Sequence, residues 1–169
     1  MPSPIEDEVR ATFRRYIETR NAIDRGELPW TALEAYFTDD AVFIDPAWGR
    51  VEGLDNIRAF WVKSMTGLED WKFPEVWTQV EGRRVVSLWM QKMGKREDGR
   101  DWECPGISVL YYAGDGKFCY EMDLMNMAHV MEVLRDMGWT PPPNLNFPPP
   151  NPERDLALPK GREHLAKGA

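Results

Sequence analysis

The sequence predicts an α+β fold, a cone-shaped curved antiparallel sheet covered by N-terminal helices. Three observations carry this. Apolar residues recur at the helical period over residues 5–24, 30–37 and 55–65. From about residue 71 the pattern changes to strand signals, and Glu81-Gly82 and Ala113-Gly114-Asp115-Gly116 supply hairpin turns between them. Helices gathered ahead of hairpin-linked strands define this class, and helices across one face of a curved sheet leave a cone suited to a small apolar ligand.

The first helix is predicted over 5–24, where Ile5, Val9, Phe13, Tyr16, Ile17 and Arg20 follow the 3.6-residue period. Its acidic first turn suits the helix dipole, and Arg25-Gly26 ends it. A shorter helix from Trp30 to Phe37 places Leu33 and Phe37 on one face. Ala41–Asp45 reads as a short strand, with Pro46 and Gly49 in the turn after it. Asp55–Met65 is helical, with Ile57, Phe60 and Trp61 as its apolar stripe. Strands are predicted at about 71–80, 83–93, 102–113 and 117–125, with Gly94–Arg100 a charged loop. Met127–Met137 forms a last helix that stops at Gly138. Residues 1–138 therefore read as one domain and 139–169 as a proline-rich C-terminal tail. Pro141–Pro143, Pro148–Pro150 and Pro152 exclude regular helix there. The tail either remains disordered or wraps the domain or a partner subunit, with Trp139 and Phe147 available to dock it.

A chain of 169 residues with 43% hydrophobic residues builds a real core. Eight Trp and nine Met suit either that core or an apolar pocket. The net charge of −7 argues against a nucleic-acid partner. There is no apolar run of membrane-spanning length and no signal-peptide pattern, so a cytoplasmic location is expected. Cys104 and Cys119 make no disulfide framework and are expected as buried small hydrophobes. With no phosphate-loop, dinucleotide or HExxH motif, and histidines only at 129 and 164, neither a cofactor nor a metal is expected.

The segment Tyr36-Phe-Thr-Asp-Asp-Ala-Val-Phe-Ile-Asp45-Pro-Ala-Trp48-Gly leaves Asp45 flanked by apolar residues at a strand end. A carboxylate held there partly out of water becomes a stronger base. The same Asp-Pro pair is also an ordinary strand-to-turn signal. Tyr16, between Phe13 and Ile17, is either a ligand-facing donor or a core tyrosine satisfied by the protein.

That segment, together with Phe13-Arg-Arg-Tyr16-Ile, Asn21-Ala22, Gly53-Leu-Asp-Asn-Ile57-Arg-Ala-Phe60 and Gly116-Lys117, resembles the nuclear-transport-factor-2-like (NTF2-like) superfamily. The resemblance spans roughly residues 6–128 and is to SnoaL-like and ketosteroid-isomerase-like members. It implies an NTF2-like cone and a homodimer formed through the sheet face. It also implies cofactor-independent isomerase, cyclase or hydratase-type chemistry on a small hydrophobic, polycyclic or aromatic molecule. A noncatalytic binder of such molecules, or a homodimeric interaction domain, has the same signature. Beside the isomerases, Asp45 falls on the base and Tyr16 on the hydrogen-bond donor. Ser108 replaces the aspartic acid that completes their oxyanion site. The resemblance turns Cys119, Glu121, Asp123 and Met125 inward, making Glu121 or Asp123 the second acid–base member. Simple alternation favours the opposite facing, since Phe118, Tyr120, Met122 and Leu124 are the more apolar set. Trp48, Trp61 and Trp89 are candidates for the pocket wall, and Ser108, Cys119 and Met125 for further ligand contacts.

Overall fold

The computed structural model describes residues 3–166. Ser3 starts α1 (Pro4–Asp24) with a reciprocal cap: its hydroxyl accepts from Glu6 N, and the Glu6 carboxylate accepts from Ser3 N. Pro4 at the first helical position loses no bond, because that N–H has no partner inside the helix. Val9, Thr12, Phe13, Tyr16, Arg20 and Ile23 form the buried face. The second predicted helix is a 3-10 helix, Trp30–Tyr36, and the chain turns into strand β1 (Phe37–Asp45) at Phe37. β1 thus starts four residues earlier than expected. A short strand that the sequence did not signal, β2 (Gly49–Glu52), pairs back on it. Helix α2 (Leu54–Met65) buries Ile57, Phe60 and Trp61 as expected.

Strands β3 (Glu75–Glu81), β4 (Arg84–Lys95), β5 (Asp101–Gly114) and β6 (Lys117–Met125) follow, then helix α3 (Met127–Asp136). Residues 71–74 are not strand; only an isolated bridge ties Lys72 to Lys92. The curved, open sheet has the order β2-β1-β6-β5-β4-β3. Its pairs are antiparallel except β1 with β6, which is parallel.

One face of the sheet packs on α1 and α2 through a nearly continuous aromatic core. Phe13, Tyr16, Phe37, Phe43, Phe60, Trp61, Tyr112 and Phe118 are all buried in it, with ring centroids 5.3–6.5 Å apart. At one end of the same face, α3 packs Val130 and Val133 over Met93 and Cys104, with Trp71, Trp102 and Met125 around them. The opposite face carries two apolar rows in register, Trp77–Leu88–Ile107–Leu124 and Val86–Val109–Met122–Ile44.

A β-bulge decides what β6 presents to each side. Tyr111 pairs with Tyr120 while Tyr112 pairs with Phe118, so Cys119 is an extra residue opposite one step of β5. The extra residue shifts the phase of alternation. Phe118 faces the aromatic core, yet beyond the bulge Glu121 and Asp123 take that side and Tyr120 and Met122 the other.

The tail wraps the domain. Trp139 packs on Trp71 at 5.9 Å, and Asn146 bonds the carbonyl of Lys63. Arg50 holds residues 153–157: its N–H donates to Glu153 O and its guanidinium to the carbonyls of Asp155 and Ala157. The Tyr120 hydroxyl donates to Leu156 O, and Leu158 and Leu165 cover Val42, Ile44, Cys119 and Tyr120. Phe147, expected as an anchor, is 68% exposed and anchors nothing.

Candidate active site

The chemistry-bearing side chains gather where α1 crosses the inner faces of β1, β5 and β6. Tyr16 lies one turn before Arg20 on α1, and Asp24 one turn after it, so the three share one side of the helix. From β6 come Glu121 and Asp123, two residues apart and therefore on one face. Asp45 ends β1 one step beyond the Ile44–Met122 pair, which brings it beside Asp123 on the neighbouring strand. Ser108 of β5 stands directly opposite Asp123.

Two hydrogen-bonded groups result. In the deeper one, the Tyr16 hydroxyl lies 3.0 Å from both oxygens of Glu121, which is fully buried, and accepts from Arg20 Nη1 at 3.4 Å. In the shallower one, Trp89 Nε1 donates to Ser108 Oγ at 2.9 Å, and Ser108 donates to Asp123 Oδ1 at 2.5 Å. Asp45 Oδ1 accepts from the N–H groups of Ala47 and Trp48, both at 2.7 Å. This is the turn-closing role that an Asp-Pro pair commonly plays.

Burial raises the proton affinity of all three carboxyls, by different amounts. Glu121 and Asp123 are pushed far above ordinary carboxylates, first by desolvation; the Asp123 charge adds to the rise at Glu121, whereas at Asp123 the Ser108 hydrogen bond and the Arg20 charge hold it back and Asp45 adds a smaller push upward. Asp45 is raised by burial as well, but its two backbone donors hold it back. Burial and the adjacent Glu121 also raise the Tyr16 hydroxyl. Burial works against the Arg20 charge, yet Tyr16 and Glu121 leave it more firmly protonated than an ordinary arginine.

The other sequence candidates separate. Trp89 belongs to the site, because its ring lies over Gly106 and its N–H holds Ser108. Trp61 is a core residue packed between Phe37 and Phe43. Trp48 packs on Phe60 beneath Lys63. Met125 lies in the methionine-rich cluster under α3. Cys119, expected inward, lies in the opposite cluster beneath the tail because it is the bulge residue. Tyr16, expected as a ligand donor, gives its hydroxyl to Glu121 and is 2% exposed. The two described clefts lie elsewhere, one between α1 and β3 and one around Arg50, Glu52, Glu153 and Asp155. Arg20 was placed on the apolar stripe by its period but not among the functional residues. Its signal was a cation four residues after Tyr16 on a buried face. Among the described residues, no group of three or more His, Cys, Asp or Glu is arranged to hold a metal ion, and no helix is long and apolar enough to cross a membrane.

Gly106 sets the position of Trp89. A Cβ on residue 106 would lie 2.4 Å from two indole carbons, and Trp89 is itself buried. Gly106→Ala is therefore expected to displace the ring and cost about 1–3 kcal/mol through overpacking. Urea unfolding measures the loss. An unchanged midpoint would mean that Trp89 is free to move.

An open six-stranded sheet wrapped on two helices, with acids facing inward, defines an NTF2-like α+β protein. The chain belongs to the SnoaL-like domain family, whose model matches residues 8–121. Among solved structures, a candidate SnoaL-like polyketide cyclase from Jannaschia sp. CCS1 is 19% identical, with a TM-score of 0.63 over 79% of this chain and 95% of that one. An epoxide hydrolase from M. tuberculosis, of the LEH-like type, is 14% identical, with a TM-score of 0.58 over 79% of this chain and 89% of that one. No curated protein matches the chain.

Proposed function

We propose that the protein is an acid–base enzyme that isomerises, cyclises or hydrates a small hydrophobic, polycyclic or aromatic substrate. The observation that supports this best is the pair Asp45 and Asp123, side by side on one face but in environments that drive their proton affinities apart. Two backbone N–H groups favour the Asp45 anion, and this is the base. Burial favours the Asp123 acid, and outweighs the Ser108 hydrogen bond and the Arg20 charge that favour its anion. Ser108, held by Trp89, occupies Asp123 Oδ1, which leaves the proton on the other oxygen, free to pass to a substrate oxygen. In turnover Asp45 removes a proton from carbon next to a carbonyl, and Asp123 donates to the oxygen that becomes an enol. Glu121 and Tyr16 do not reach the substrate in this scheme; they keep the neighbouring charge low. Names given to relatives of this fold, polyketide cyclase and epoxide hydrolase, belong to the same broad chemistry.

The test is deuterium exchange at the acidic carbon of 2-tetralone in D2O, followed by proton NMR. Wild type is expected to exceed buffer, and Asp45→Asn and Asp123→Asn each to lose about 100-fold or more. Exchange no faster than buffer, or a wild-type rate in either variant, would remove the reading.

The Trp77–Leu88–Ile107–Leu124 row on the outer face favours a homodimer through the sheet as well. Trp77 and Leu124, at the two ends of one row, are 46% and 49% exposed. Light scattering is expected to give twice the chain mass, and Leu124→Lys to return it to the monomer.

A further inference from the structure

Arg20 is more than nine-tenths buried, yet its Nε has no hydrogen-bond partner among the described residues. Among the described residues, no carboxylate lies within ion-pair distance of its guanidinium. Three rings surround that group instead: Trp30 at 5.3 Å, Phe73 at 5.7 Å and Tyr16 at 6.0 Å. One turn further along α1, Asp24 shows the complementary deficit. Its Oδ2 accepts from Phe73 N at 2.8 Å, while its buried Oδ1 has no partner. A donor and an acceptor thus stand unsatisfied four residues apart on one helix face, a spacing of about 5–6 Å between Cβ atoms. Each costs on the order of 1–3 kcal/mol when left so.

The surroundings are aromatic. Trp30 packs edge-on to Phe73 and Phe73 to Trp89, with centroids 5.6 and 5.8 Å apart. This wall leads from Arg20 to the indole that holds Ser108 and, through it, Asp123. Trp30 and Phe73 are only partly buried.

We infer that Arg20 and Asp24 form a recognition subsite for a phenolic or enolic hydroxyl on an aromatic ligand. The hydroxyl oxygen accepts from Arg20 Nε and its proton is donated to Asp24 Oδ1. Only a group that both donates and accepts satisfies the two atoms together. A carboxylate meets the Asp24 charge, and an ether leaves Asp24 unpaired. The subsite deepens the acid–base reading by naming a substrate class, and it stands or falls on binding rather than turnover.

The probes are 2-naphthol and its methyl ether, compared by equilibrium dialysis against the full chain. Wild type is expected to prefer the naphthol by tenfold or more. Arg20→Lys keeps the charge but removes Nε. Asp24→Asn keeps an acceptor for Phe73 N but turns an amide donor toward the ligand. Both are expected to bring the preference within about twofold. Equal binding of the two probes by wild type, no binding of either because water alone fills the site, or a preference that survives both variants would each overturn the subsite. Should a variant fail to fold by near-UV circular dichroism, the wild-type comparison still decides. Failure of the acid–base reading appears separately, as lost exchange dependence on Asp123 with the naphthol preference intact.

Discussion

Glu121→Gln is expected to make the protein more stable than wild type at alkaline pH and to leave it unchanged in acid. In the folded chain, burial and the adjacent Asp123 raise the Glu121 carboxyl far above its ordinary value of 4.5. The sign follows from proton counting. Between the unfolded and folded values, the native state holds a proton that the unfolded chain has released, so wild-type stability falls as pH rises through that window. Below it both states are protonated and the site contributes no slope. A glutamine accepts the same bond from Tyr16 and cannot ionise, which removes the slope at this position. At about 1.4 kcal/mol for each pH unit crossed, the variant gains about 3–5 kcal/mol by pH 9. Urea unfolding at pH 5, 7 and 9 measures this. Parallel pH profiles for the two proteins would show that Glu121 is already ionised when folded. Part of the wild-type slope is expected to persist, because burial raises Asp123 too.

Ending the chain at Gly138 is expected to cost about 4 kcal/mol and to expose a thiol. The tail lays Leu158 and Leu165 over Val42, Ile44 and Tyr120, and each large apolar side chain fully removed from water contributes about 1.5–3 kcal/mol. Arg50, with a side chain only 7% exposed, loses the carbonyls of Asp155 and Ala157, and Tyr120 loses that of Leu156. Each such bond is worth about 0.5–1.5 kcal/mol. Cys119 beneath the tail is fully buried, and burial pushes its thiol up to about 11. In the full chain it therefore resists thiol reagents under native conditions, since the thiolate is the reactive form. In a Cys104→Ser background, the shortened chain is expected to react with Ellman's reagent while still folded. An unmoved unfolding midpoint with Cys119 still protected would show that the tail only rests on the surface.

Local signals were legible wherever local physics decides the outcome. The α1 face followed from the spacing of Val9, Phe13, Tyr16 and Arg20, and α2 from Ile57, Phe60 and Trp61. The hairpin turns and most of β4, β5 and β6 appeared within a few residues of their observed limits. β2 escaped notice because four residues carry too little alternation to read. Residues 71–74 look like strand by composition but find only one bridging partner.

The site shows the same division. Asp45 was marked by its apolar flanks and by the turn after it, both local features, and the resemblance to a family added its partners. Glu121 and Asp123 were ambiguous because alternation along β6 pointed the wrong way past Cys119. A bulge is a mismatch between two strands, so neither strand records it alone. Arg20 read as one more position on a helical stripe; its unpartnered Nε exists only once Trp30, Phe73 and Tyr16 close around it.

The sequence by itself thus determined the α+β class, the order of helices and hairpins, and a carboxylate at the end of the first strand. These depend on periodicity, turn chemistry and capping within a few residues of chain. Only the tertiary structure decided that Cys119 turns outward, that Glu121 and Asp123 turn inward, and that the tail covers the β1–β6 end of the opposite face. It also left Arg20 and Asp24 each with an unsatisfied atom. Facing, desolvation and the absence of a partner belong to several distant segments at once, and become physical quantities only when those segments pack.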